Sequence, residues 1–157
     1  MRVSEAMTRN VRVADPDQSI AEAARIMAEI DAGSLPVGEN DRLVGMITDR
    51  DIAVRAVARE KSGNTKVREV MSKEVLYCFE DQELDEVAQN MSDVKVRRLP
   101  VVNRDKRLVG ILSLGDLSKS ENATTAGQAI AEISSPGGKH SQTAAASKGR
   151  GKQRPAA

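Results

Sequence analysis

The 157-residue chain has no tryptophan, one tyrosine, one phenylalanine, one histidine and one cysteine. With only Tyr77 and Phe79, it has no row of rings on which nucleobases could stack. A lone cysteine, Cys78, excludes an internal disulfide and cannot build a metal site by itself. It also has no sequence partner to activate it as a nucleophile, and the one histidine, His140, lies near the C-terminus. Cys78 and the methionines Met7, Met27, Met71 and Met91 therefore read as core residues. Neither a Walker loop nor a G-x-G-x-x-G is present. No apolar run approaches the ~20 residues that cross a bilayer. Residues 1–10 lack the apolar centre of a secretory signal. These gaps point to a cytoplasmic protein, away from membranes, with no metal and no catalytic residue.

What is present is evenly divided charge, with a net of +1, and 39% apolar residues. The balance is uneven along the chain. All 23 acidic residues precede position 134, whereas Lys139, Lys148, Arg150, Lys152 and Arg154 follow it. The body is net acidic and the tail is basic. From Pro136 the chain is mostly Gly, Ser, Ala, Lys and Gln with little to bury, so residues 134–157 read as a disordered, solubilising tail. The rival is non-specific contact with nucleic-acid phosphates, which the acidic body and the missing aromatics disfavour.

The strongest feature is duplication. Val3-x-x-x-Met7 returns 64 residues later as Val67-x-x-x-Met71. Ile20 and Met27 return as Leu84 and Met91, and Leu35-Pro36-Val37 as Leu99-Pro100-Val101. After one extra residue, Leu43-Val44-Gly45 and Asp51 match Leu108-Val109-Gly110 and Asp116. Each copy reads α-β-α-β-β-α. A brief helix ends at Met7 or Met71, then an extended run covers Val11 to Val13 or Val75 to Cys78. Ser19-x-x-Glu22 is a capping box that starts an amphipathic helix bearing Ile20, Ala23, Ala24, Met27 and Ile30. Asp31-Ala32-Gly33 is a glycine stop signal. Pro36 and Pro100 place their strands at an edge, or turn their donor-free nitrogens toward a ligand. A helix follows over 50–59. One repeat of this size buries too little alone, so the two are expected to share one core. The divisions are 1–59, a linker over 60–66, 67–120, a possible extra helix in 121–133, and the tail.

Each copy closes on a strand, a hydroxyl and an aspartate three places on: Thr48 with Asp51, Ser113 with Asp116. A capping box explains this pattern alone. A nucleotide cradle also explains it, because a helix start offers amides to phosphate and a carboxylate can accept ribose hydroxyls. Duplication of the whole context favours the cradle.

The body resembles a tandem pair of cystathionine-β-synthase (CBS) domains, as in small bacterial proteins that hold one such pair and little else. The resemblance rests on V-S-E-A-M-T and V-R-E-V-M-S, on S-L-P-V and R-L-P-V, and on the glycine, two apolar residues and T/S-x-x-D that follow, across about 1–119. It implies an α/β (α+β) fold of two pseudo-twofold repeats. It also implies a regulatory module that binds AMP, ADP or ATP in composite clefts, passes its output to an unknown effector protein, and forms a homodimer through its helices. No obligatory cofactor is implied. S-adenosylmethionine and NAD remain open as ligands, and so does a structural dimer without a ligand.

Carried over, the first nucleotide site would take Thr48 and Asp51 with Val75, Arg98, Leu99 and Pro100. The second would take Ser113 and Asp116 with Val11, Ser34, Leu35 and Pro36. Asp51 and Asp116 would hold ribose hydroxyls, Thr48 and Ser113 would donate to phosphate, and Arg97 or Arg98 would add charge. Asp51→Ala should then weaken binding roughly 10–100-fold. Leu114-Gly115 stands where the first copy has Asp49-Arg50, so the two clefts are not expected to be equivalent.

Overall fold

A one-turn helix, α1 (Val3–Ala6), opens the first repeat, yet its Val3 and Ala6 are buried in the core of the second. The exchange is mutual. The 3-10 turn Val67–Glu69 opens the second repeat, and its Val67, with Val70 and Met71, is buried in the core of the first. The computed structural model describes residues 1–120 and 122–135. The tail beyond 135, with His140 and its five basic residues, lies outside the described residues.

The first repeat continues with α2 (Ile20–Ile30), β1 (Ser34–Glu39), β2 (Arg42–Thr48) and α3 (Asp49–Asp51). The helical path runs on through π-helical Ile52–Ala56 and 3-10 Val57–Arg59. The second repeat adds β3 (Cys78–Phe79), α4 (Leu84–Val94), β4 (Arg98–Val102), β5 (Leu108–Ser113) and the 3-10 turn Leu114–Lys119. It ends with α5 (Ala123–Ser134). Strands β1 and β2 form an antiparallel pair, while β3, β4 and β5 form a three-stranded sheet.

Several expectations are corrected here. The run Val11 to Val13 is not a strand. Only Ala14 bridges Val37, donating to Pro36 and accepting from Gly38. The next rung needs an amide at position 16, and proline has none. In the second repeat Glu80 occupies that place and donates to the Val102 carbonyl at 3.0 Å, so β3 forms. β4 is central rather than an edge. Its Pro100 is tolerated because β3 pairs only with Val101 and Val102. The left-handed residue that stops α2 is Asp31 (φ 53°), not Gly33. A Cβ on Gly33 would lie 2.8 Å from a carboxylate oxygen of Asp49, an exposed side chain that can swing aside. On α2, Ile20, Ala23 and Met27 are buried while Ala24 and Ile30 are exposed, a narrower stripe than the period implied.

The single shared core is also corrected, since two clusters form. One holds Leu84, Val87, Met91, Leu112 and Leu117 around α1. The other holds Ile20, Ala23, Leu35 and Ile47 around Val67 and Val70. Each repeat completes its core with the other's opening turn, so neither cluster closes without both. Helix α5 covers the cluster around α1 and α4 with Ala129 and Ile133, Ala126 is buried beside them, and the Ser92 hydroxyl donates to Glu132 at 2.6 Å. Ser134 closes this helix rather than starting the tail.

The crossings occur at two glycines. Thr8 and Ile111 exchange backbone hydrogen bonds, as do Ser72 and Met46. A Cβ on Gly110 would lie 2.8 Å from the Thr8 carbonyl oxygen, and one on Gly45 would lie 2.8 Å from that of Ser72. Only glycine lets the two chains approach this closely.

Candidate functional site

Both hydroxyl–aspartate turns sit where a strand ends and a helical turn begins. At the first, Thr48 Oγ1 accepts the Asp51 amide and Asp51 Oδ2 accepts the Thr48 amide, each at 3.0 Å. This is a closed capping box. At the second, the Ser113 amide donates to Asp116 Oδ2 at 2.8 Å and the Ser113 hydroxyl donates to the same oxygen at 2.9 Å. The turns therefore differ: Thr48 keeps its hydroxyl proton to give away, whereas Ser113 spends its own on Asp116.

Neither carboxylate points into bulk water. The Asp51 side chain is 18% exposed and that of Asp116 is 11% exposed. Each has a cation at its second oxygen, with Arg55 Nε 3.8 Å from Asp51 Oδ1 and Lys119 Nζ 3.4 Å from Asp116 Oδ1.

A cleft of about 350 Å³ opens between the repeats beside Ser113. The first repeat supplies Val11, Ser34, Leu35 and Pro36, and the second supplies Ser113. Five of the six residues assigned to the second site are thus brought together. Asp116 stands behind Ser113, outside the lining. Arg98, assigned to the first site, lines this cleft instead. The strand register explains it, because Arg98 pairs with Ser113 across β4 and β5. Arg98 is exposed, and among the described residues it has no ion-pair partner.

The remaining first-site residues are more scattered. Leu99 and Pro100 are buried in β4. Val75 lines a different cavity, of about 360 Å³, with Arg42 and Lys106. Arg97 presents its backbone carbonyl to the Leu114 amide at 2.8 Å.

Six lining residues of the cleft were not foreseen: Thr8, Asn10, Arg12, Ile30, Ala32 and Ile111. Thr8 follows the crossing at Gly110, and Ile111 is its bridge partner. Arg12 is held by Glu29 at 3.0 Å. Ile30 is 39% exposed at the end of α2, where its side chain walls the cleft. Ile30 carries a readable signal, the last apolar residue of the α2 stripe, matched by exposed Val94 at the end of α4.

Other chemistry finds little support among the described residues. Burial pushes the Cys78 thiol up to about 12, so it stays protonated and unreactive. No group of three or more His, Cys, Asp or Glu is placed to hold a metal ion. No described helix is long and apolar enough to cross a membrane.

Comparison with known proteins agrees with this architecture. The CBS domain family model matches twice, over residues 3–57 and 67–122. The CBS domain-containing protein YhcV of Bacillus subtilis is 41% identical over 133 residues, covering 84% of this chain and 94% of the relative. The solved CBS domain pair of protein MJ0100, in complex with 5-methylthioadenosine and S-adenosyl-L-methionine, is 32% identical with a TM-score of 0.66, covering 76% of this chain and 94% of that one. The structure of CBSX2 in complex with AMP is 28% identical with a TM-score of 0.66, covering 75% and 93%. With two matched repeats, two interlocked cores and a cleft between them, the chain belongs to the CBS-domain family as a tandem pair.

Proposed function

We propose that the chain is a regulatory sensor of an adenosine nucleotide, of the AMP, ADP or ATP class, and not a catalyst. The observation that carries this reading is the convergence of Val11, Ser34, Leu35 and Pro36 with Ser113 on one cleft between the repeats. The apolar segment offers a wall for the base, and its backbone offers hydrogen bonds to the adenine edge. Arg98, with no ion-pair partner among the described residues, suits the phosphate, and the Ser113 hydroxyl joins it only by leaving Asp116. Asp116, behind Ser113, is the carboxylate for ribose once Lys119 yields its second oxygen. The MJ0100 and CBSX2 neighbours carry adenosyl ligands in the same fold, which supports the ligand class.

A second cleft would use Thr48 and Asp51 with Leu99 and Pro100. Its free Thr48 hydroxyl proton favours phosphate, while its partly buried Asp51 favours ribose. Exposed Val54 and Val57 on the helical path after α3 offer a surface on which two copies can pair, so the sensor acts as a homodimer that reports to an effector protein.

Titration calorimetry against AMP, ADP, ATP, NAD and S-adenosylmethionine tests the reading. One adenosyl ligand should bind saturably. Arg98→Gln together with Asp116→Ala should weaken it roughly 10–100-fold. No heat from any of the five, or equal affinity in the double variant, sinks the assignment of this cleft.

A further inference from the structure

The two repeats present a second pair of matched cavities, at the other end of the hairpins, whose charges are opposite. One, of about 360 Å³, is floored by Leu43, Val44 and Val75. Its counterpart, of about 530 Å³, is floored by the equivalent Leu108, Val109 and Val11. The apolar floor is therefore repeated. The rims are not. The first carries Arg42, Lys73 and Lys106 with Tyr77, and no acidic residue. The second carries Asp15 and Asp41 with Asn10 and Asn40, and no cation. Packing requires only what both share, so the fold does not demand three converging cations.

Those cations are not neutralised from within. Among the described residues none of Arg42, Lys73 and Lys106 is in an ion pair. Lys106 gives one hydrogen bond to the Tyr77 hydroxyl at 2.7 Å and stands 5.0 Å over the Tyr77 ring. Tyr77 is 40% exposed, so the ring edges the cavity mouth. An apolar floor under a few convergent polar groups is the usual make-up of a small-ligand pocket, and the volume lies at the small end of that range.

We propose that this basic cavity is a second ligand site, separate from the nucleotide cleft, for a small organic anion. An apolar body would rest on Leu43, Val44 and Val75 beside Tyr77. A phosphate or carboxylate would be held by Arg42, Lys73 and Lys106. Arg42 supplies a planar fork of donors for the anion, and the lysines supply point charge.

Pyridoxal 5′-phosphate is a probe that reports its own location. Its phosphate and ring enter an anion pocket, and its aldehyde condenses with a lysine amine, releasing water. Borohydride then delivers hydride to the imine carbon, leaving a stable secondary amine that peptide mass spectrometry can place. On the full chain, low doses should modify Lys73 or Lys106 before the other lysines. Phenyl phosphate should protect at lower concentration than inorganic phosphate, because only the former uses the apolar floor. Saturating AMP should not protect. Arg42→Gln keeps both amines and should cut the labelling roughly tenfold, with circular dichroism unchanged. Labelling spread over all lysines by exposure, or no effect of Arg42→Gln, overturns the proposal. Protection by AMP equal to that by phenyl phosphate overturns it too, since the cavity would then be part of the nucleotide cleft.

Discussion

Lys119 Nζ lies 3.0 Å from the carbonyl oxygen of Ala6, 113 residues earlier and in the opposite repeat. The first half repeats the arrangement with a different cation, as Arg55 Nη1 donates to the carbonyl of Val70 at 3.3 Å. Ala6 and Val70 are equivalent positions, each at the end of an exchanged opening turn. Each cation also faces the aspartate of its own turn motif. The motif carboxylate, the cation and the opposite repeat thus form one chain of contacts. Lys119→Met should cost about 0.5–1.5 kcal/mol in urea unfolding, the value of one half-exposed charge-assisted hydrogen bond. A cost near zero would show that the contact is carried by solvent alone.

The glycines at the crossings should be far less forgiving. A Cβ at Gly110 meets Met7 Sδ at 2.7 Å and the Thr8 carbonyl oxygen at 2.8 Å. The methionine can swing aside, but the backbone oxygen is fixed by its bond from the Ile111 amide. Gly110→Ala and Gly45→Ala should each destabilise by about 1–3 kcal/mol, the cost of overpacking a closed contact. Denaturant midpoints check this, and an unchanged midpoint for either would mean that the strands separate freely.

The sequence made some of this legible and hid the rest for definite reasons. The repeat was readable because Leu35-Pro36-Val37 and Leu99-Pro100-Val101 must each fill a strand in the same setting. Helix α2 was readable from its cap and its period. The exchange of Val3 and Ala6 for Val67 and Val70 was not, because an apolar one-turn helix looks the same whichever core receives it. Pro16 hid the missing strand in the first repeat, since its effect falls on the partner strand's next rung. Val11, Ser34, Leu35, Pro36 and Ser113, grouped from the sequence, line one cleft. Arg98 lines that cleft as well, because the strand register, not its neighbours in sequence, sets it beside Ser113.

Gly127 gives the opposite expectation from the crossing glycines. It lies within α5, and a Cβ there would meet nothing within 4 Å. Alanine loses less backbone entropy in a helix and adds no clash. Gly127→Ala should stabilise the protein by about 0.5–1 kcal/mol. Since α5 covers the cluster around α4, the gain should appear in the main cooperative transition. A gain confined to helix content, with no shift of the midpoint, would mean that α5 unfolds on its own.

The buried thiol makes stability fall at alkaline pH. Burial raises Cys78 from the ordinary 9.0 to about 12 in the folded chain. Between those values the unfolded chain has lost the proton while the folded chain retains it. The unfolded state then binds fewer protons, so stability falls as pH rises above about 9, by up to about 1.4 kcal/mol per pH unit. Below pH 9 both states keep the proton and the effect vanishes. Cys78→Ala should be less stable at neutral pH because it leaves space in the core, yet it should lack this extra alkaline slope. Urea midpoints taken from pH 8 to 11 separate the two effects. Parallel slopes for the two proteins would mean that solvent reaches the thiol in the folded state, and a thiol-specific reagent would then modify native Cys78 at pH 8 without denaturant.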